Sequence, residues 1–499
     1  MNRLLADNPV LIKHIRIRLR RPQAIYLGIV VLSLCLCVMW AGWKLNGLDN
    51  GTVFSILVWS MGGVLQLVGT SQVTSSISQT NETGILDFHR IAPLPPHTTA
   101  LGFVLGGPVR EYLIAGMIFP FALFCALAGE PGLSGFAAIS IVMLSTTLLF
   151  HMLAMNAGLL AKRGKTRGRS MGLAFLLVMA SFSTGTVLAG LPIPGLLTVG
   201  PTYIEAMGGN RLLNATLPTF FGLKLPLFVQ SLIYQIPLIV FLSIPIVRRM
   251  RSAQASLYSK PAAIGCLAAI SVLNLGGIVK HPQLEATTFV PMLLYFSVIV
   301  SILLTLAVTP SRSRYLNLVR RSKKLNMLKP SLWQDDSSSR AVLFIFGSFV
   351  WATVQLADTF IAGKAIGQDF LVMTGTAVCV VIYFGSALQF FALKFGHRSR
   401  PVLMLFLFLF WLMPLAIAAL ALSTNHPELA PLIAAMSPIF GIGSGSIPGL
   451  IAAVVLGAIF FSLSVREELR IQTEFAGDPF EEEDDEPEVH DEVVEFGNS

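Results

Sequence analysis

The sequence predicts an all-α polytopic membrane protein of about twelve transmembrane helices, arranged as two pseudo-repeated six-helix halves with short amphipathic helices at one membrane face. Three observations carry that prediction. Twelve apolar segments are each long enough to cross a bilayer core, which needs roughly 20 residues of helix. Only 12% of the 499 residues are charged and 54% are hydrophobic, against a charge share of roughly 25% in soluble domains. The segments also fall into two sixes with the same order of short and long connections, the mark of a parallel repeat.

Residues 1–24 come first, with Lys13, Arg16, Arg18, Arg20 and Arg21 alternating with apolar residues, and read as an amphipathic interfacial helix. The first half, 25–250, holds spans at 25–44, 53–72, 100–129, 135–161, 170–190 and 227–247. The second half, 251–465, holds spans at 260–279, 288–309, 341–362, 370–393, 401–422 and 448–465. Residues 466–499 carry 14 acidic and 2 basic residues and read as an acidic disordered tail. The basic turns 162–169 and 394–400 are offset by 232 positions, and Gly200-Pro201 and Ser437-Pro438 by 237, which supports the doubling.

Orientation follows from charge. The N-terminal stretch, the segments 162–169, 248–260, 312–329 and 394–400, and the start of the tail are rich in Lys and Arg and all lie on one side if every span crosses. The positive-inside rule makes that side the cytoplasm and places both termini there. The 33 basic residues that precede the tail therefore face lipid headgroups, and nucleic acid is not needed to explain them. Cys35, Cys37, Cys125, Cys266 and Cys379 all lie in apolar spans and read as small hydrophobes, neither disulfides nor metal ligands.

Between the second and third spans runs a segment, 76–96, expected to form a short amphipathic cytoplasmic helix. Ile85, Leu86, Phe88 and His89 give it an apolar side, Glu82, Asp87 and Arg90 a charged one, and Pro93, Pro95 and Pro96 stop it. Taken alone, Glu82 reads as a helix-start carboxylate. In order along the chain stand Glu82, Gly84, Leu86, Pro93-Leu94 and Leu101-Gly102, preceded by the opening Asn8-Pro9-Val10-Leu11-Ile12-Lys13.

These stretches resemble the hallmark of type-2 ATP-binding-cassette (ABC) export permeases, in which a Glu-x-Gly-Thr-Leu run is followed by Pro-Leu and Leu-Gly after an Asn-Pro-Val-Leu-x-Lys-Glu opening. The resemblance covers about the first 115 residues. His14 stands where the family usually has Glu, Ile85 where it has Thr, His89 where an apolar residue is common, and Phe103 where Lys often follows Leu-Gly. The resemblance implies a bacterial inner-membrane permease whose segment around Glu82, Gly84, Leu86, Asp87 and Pro93 couples to cytosolic ATPase subunits, with ATP and magnesium held by those partners. In the second half, Lys329-Pro330-Ser331-Leu332-Trp333 is the candidate for an equivalent contact.

The chain has no cofactor motif of its own. Gly158 through Thr166 imitates a phosphate-binding loop but is one residue too long and leaves an apolar span instead of a strand. Candidate translocation-path residues are the ionisable groups inside spans, Arg110, Glu111, His151 and Asp358, because burying them is costly. Arg110 and Glu111 follow the helix-weakening Gly106-Gly107-Pro108 and are placed to neutralise one another. Gln355, Asn156 and Asn274 suit a path or interhelical hydrogen bonds equally. Two alternatives stay open: an ion-coupled secondary carrier using Asp358, Glu111 or His151, and a membrane scaffold or enzyme without an ATPase partner.

Overall fold

The computed structural model describes residues 8–44, 50–92, 94–160, 195–208, 219–253, 255–278, 286–325, 331–361, 368–423 and 428–477. The expected span at 170–190, the basic turn 162–169, Pro93, and the tail from 478 on lie outside the described residues.

Eighteen helices build the described chain. They are α1 Pro9–Arg18, α2 Arg21–Lys44, α3 Asn50–Glu82, α4 Ile85–Ile91, α5 Pro96–Gly106, α6 Val109–Ala128, α7 Gly132–Leu160, α8 Gly200–Ala206 and α9 Leu227–Arg251 in the first part. α10 Lys260–Ile278, α11 Ala286–Val308, α12 Arg312–Lys324, α13 Arg340–Ile361, α14 Gln368–Phe395, α15 Pro401–Ser423, α16 Ala430–Ala435, α17 Pro438–Ser444 and α18 Ile447–Gly477 follow. Among the described residues the only extended pairing is a bridge between Phe220 and Leu223. Among the described residues ten helices are long and apolar enough to cross a membrane, or eleven if α11 and α12, bent by 57°, form one broken span. The chain is therefore an all-helical, multi-pass membrane protein.

Local sequence explains where these helices break. The expected third span, 100–129, is two helices, because Gly107 packs against the Phe103 carbonyl and the Val73 backbone with no room for a Cβ, and Pro108 cannot continue the hydrogen-bond ladder. The expected segment 76–96 is not one unit either. α3 runs on to Glu82, so Glu82 ends a helix instead of starting one, and only Ile85–Ile91 forms a separate helix. α18 likewise continues to Gly477, twelve residues past the expected end of the last span, so the first part of the expected disordered tail is helical.

Separate hydrophobic cores form in the earlier and later parts of the chain. Val53, Phe54, Leu57 and Met61 of α3 meet Ala115, Ile118 and Ala122 of α6 and Phe136, Ile139 and Met143 of α7. In the second half α14 is central, with Ala377, Val380 and Val381 packed among Leu294 and Val298 of α11 and Phe346 and Val350 of α13. Tyr383, Phe390, Phe391, Phe406 and Phe460 add an aromatic cluster joining α14, α15 and α18. The two cores are linked through α9 and α10, where Tyr234 donates to the Leu273 carbonyl at 2.9 Å.

Candidate functional site: the basic membrane end

Several short elements gather at the end of the bundle where the basic residues lie, and they are built outward from α1. Asn8 caps α1, its Oδ1 accepting from the backbone N–H groups of Val10 at 3.1 Å and Leu11 at 3.2 Å while Pro9 takes the first helical position. Its Nδ2 donates to the Thr98 carbonyl of α5 at 2.8 Å. A Cβ on Gly102 would meet Val10 at 2.7 Å and Asn8 Oδ1 at 2.9 Å, so glycine is what lets α1 lie against α5. The Asn-Pro-Val opening and the Leu-Gly pair, far apart in the sequence, thus form one contact.

After α3 the chain turns at Gly84, whose φ of +74° suits a residue without a Cβ. α4 then buries Leu86 into a core shared with Val73, Ile77, Phe103 and Ile246. The opposite face is open: Phe88 is 65% and Ile91 82% exposed. Asp87 pairs with Arg90, and Arg90 donates through Nε and Nη2 to the Arg249 carbonyl of α9, both at 3.2 Å.

His14 of α1 and His89 of α4 both stack edge-on against the Phe103 ring of α5, with centroids 5.4 and 6.0 Å away. Burial lowers the His14 imidazole to about 4, with Arg18, Lys13 and His89 adding to the effect. Burial and then Lys13 push His89 in the same direction. Both rings are neutral near pH 7.

Arg18 ties α1 to α3 by donating to Gln72 Oε1 at 2.7 Å and Ser76 Oγ at 2.8 Å. Burial lowers the Arg18 guanidinium below its ordinary value, the nearby Glu111 carboxylate opposes this, and Arg110 adds to it. Arg110 and Glu111 stand in the first turn of α6, with Nη2 and Oε1 3.3 Å apart, so the two do neutralise one another. Glu111 is fully buried and its Oε2 has no hydrogen-bond partner, whereas Arg110 is about half exposed.

His151 of α7 is fully buried. Its Nε2 lies 3.1 Å from the Leu65 carbonyl, inside the π turn Val64–Val68 of α3. A carbonyl only accepts, so Nε2 carries the proton and Nδ1 accepts from the Tyr112 hydroxyl at 3.0 Å. Gly69 makes room for this ring, since a Cβ there would come within 2.8 Å of Nε2. Asp358 belongs to α13, near its far end, and its side chain lies outside the described residues.

A second exposed tip follows α12. Residues 331–339 are pinned from beneath by Lys260, which is fully buried with its Nζ donating to the Leu332 carbonyl, Ser337 Oγ and the Ser338 carbonyl. Arg248 of α9 pairs with Asp335 at 2.5 Å, and Arg314 of α12 pairs with Asp336. Gln389 accepts from the Ser339 backbone N–H at 2.9 Å and donates to Ser338 Oγ and Glu468, which also pairs with Arg340. On top, Leu332 and Trp333 are 48% and 53% exposed.

Lys260, Gln389 and Glu468 escape sequence reasoning because their partners are 50 to 79 positions away or more and each, alone, looks like a residue at a span end. Among the described residues no cluster of three or more His, Cys, Asp or Glu side chains suits a metal ion. The assembled site presents two exposed apolar tips on ion-paired mounts at the basic end of the helix bundle. Comparison with protein-family models, with curated proteins and with solved structures gave no match for the chain.

Proposed function

We propose that the chain is the membrane permease of an ABC-type exporter in a bacterial inner membrane, with twelve spans in two six-helix halves and both termini cytoplasmic. Separate cytosolic ATPase subunits would bind ATP and magnesium, and α4, from Gly84 to the Pro93 stop, would receive their motion. The observation that carries this reading is the pair of exposed tips, Phe88 with Ile91 and Leu332 with Trp333, set at one end beyond the spans. Apolar side chains held out of the core on buttressed mounts mark a surface for another protein. Glu82, the last residue of α3, and Asp87, paired with Arg90, flank the first tip. The order of Glu82, Gly84 and Leu86 supplies the likeness to type-2 permeases. Arg110, Glu111 and His151 would support the helix packing around the path.

The test is a mild-detergent pull-down of tagged protein from its native membrane, with ATPase activity measured on the eluate. Recovery of a P-loop ATPase that is lost in Phe88→Asp/Ile91→Asp, with membrane insertion retained, is the expected result. A pure 54.0 kDa protein without ATPase activity would overturn it. That outcome would favour the ion-coupled carrier, which draws on the fully buried Glu111 and its unpartnered Oε2.

A further inference from the structure

Between α3, α6 and α7 lies a cavity of about 250 Å³. Its floor is Met61, Leu65, Ala115 and Met143, all buried. Its mouth is Gly116, Phe119 and Leu144, of which Phe119 and Leu144 are 40% and 60% exposed on the outer surface of the bundle. The lining is hydrocarbon and thioether except at Ser140, whose Oγ has no hydrogen-bond partner, and at Tyr112, whose hydroxyl is committed to His151.

Three features identify the occupant. The mouth opens sideways, off the flank of the bundle, through residues of membrane-spanning helices. Gly116 lies seven residues beyond the start of α6, roughly 10 Å along its axis at 1.5 Å per residue, which is the depth of acyl chains and not of headgroups. The cavity is larger than the roughly 150 Å³ that suffices for an aromatic ring in a dry protein core, so it has room for a length of alkyl chain. Water gains little there, having one free hydroxyl to bond.

We infer that this cavity is a binding site for an acyl chain of a surrounding membrane lipid, which enters laterally past Gly116. The inference stands apart from the permease reading, because it uses only the cavity and the bilayer. Leu65, on the floor, also gives its carbonyl to His151 at the π turn of α3, so a chain in the cavity bears on the helix that ends at Glu82.

A Cβ on Gly116 meets nothing within 4 Å, so Gly116→Leu projects into the mouth without a clash. Gly265 in α10 is equally open and serves as control. The full-length protein is placed in nanodiscs of phosphatidylethanolamine and phosphatidylglycerol containing a phosphatidylcholine with a diazirine midway along one chain, illuminated, and mapped by peptide mass spectrometry. Label concentrated on Met61, Leu65 and Met143, lost in Gly116→Leu and kept in Gly265→Leu, is the expected result. Should Gly116→Leu fail to give a monodisperse protein, Ser140→Leu fills the same space from α7. Labelling no stronger than at Leu420 and Leu422 of α15, or unchanged in the filled variants, would overturn the inference. So would labelling of the cavity by a single-chain photoactivatable amphiphile but not by the phospholipid.

Discussion

Acidification should loosen the seat of α1 on α4 and α5, and the size of the effect follows from one imidazole. Seated against Phe103, His14 takes up a proton only near pH 4; released, it does so at the ordinary 6.5. A base whose value is depressed in the folded state contributes fully above 6.5 and loses that contribution as the pH falls towards 4. Between pH 7 and pH 5 the linkage comes to at most about 2 kcal/mol, a rise of up to roughly 20-fold in the opening equilibrium, because the ring is only partly shielded from solvent. His89, lowered by the same burial, adds in the same direction. The measurement is hydrogen exchange of the Leu11–Arg18 amides at both pH values, corrected for intrinsic rates. His14→Gln removes the His14 share, so its exchange should depend less steeply on pH than that of the parent chain. Equal pH dependence in the two proteins would refute the reasoning, since His89 and every other titrating group are common to both.

Asn8→Ala should free α1 as well, at neutral pH, through loss of a helix cap worth about 1 kcal/mol and of the hydrogen bond to Thr98; early proteolysis after Lys13 or Arg16 would report it. Lys260→Met leaves the Ser338 carbonyl without its donor beneath the second tip, with an expected cost of about 1–3 kcal/mol, read as faster chymotryptic cleavage after Leu332 and Trp333. Tyr112→Phe strands the buried Nδ1 of His151 and should lower thermal stability by about 1–3 kcal/mol, whereas Tyr112→His at the same place has no such clean reading and is not a substitute.

The multi-pass helical character was legible because apolar length is a strong signal, whereas the helix-weakening Gly107-Pro108 was visible but 100–129 still reads as one span. The continuation of α3 was not legible. Residues 69–82 are mostly Ser, Thr, Gln and Asn, a composition that reads as a loop. Their helix is held instead by tertiary contact, with Val73, Thr74 and Ile77 buried against α7. Thr74, Ser76 and Thr80 also return their hydroxyls to carbonyls four residues back, so these three polar groups are satisfied within the helix. The basic end shows a second limit of reading by position. His14, His89 and Phe103 look like three unrelated departures from the permease pattern. In space they are one departure, a neutral ring stack where that pattern usually carries an acid and a base. Charged residues paired across 87 or 128 positions, as Arg248 with Asp335 and Arg340 with Glu468, leave no mark in any short window.

Arg248 and Arg249 are consecutive on α9, and each is committed to a different tip. The carbonyl of Arg249 receives Arg90 from α4, while the guanidinium of Arg248 holds Asp335 in the loop that carries Trp333. α9 is therefore a yoke. Both tips are fastened to the same turn of the same helix, so under the permease reading proposed above a push on either would arrive there.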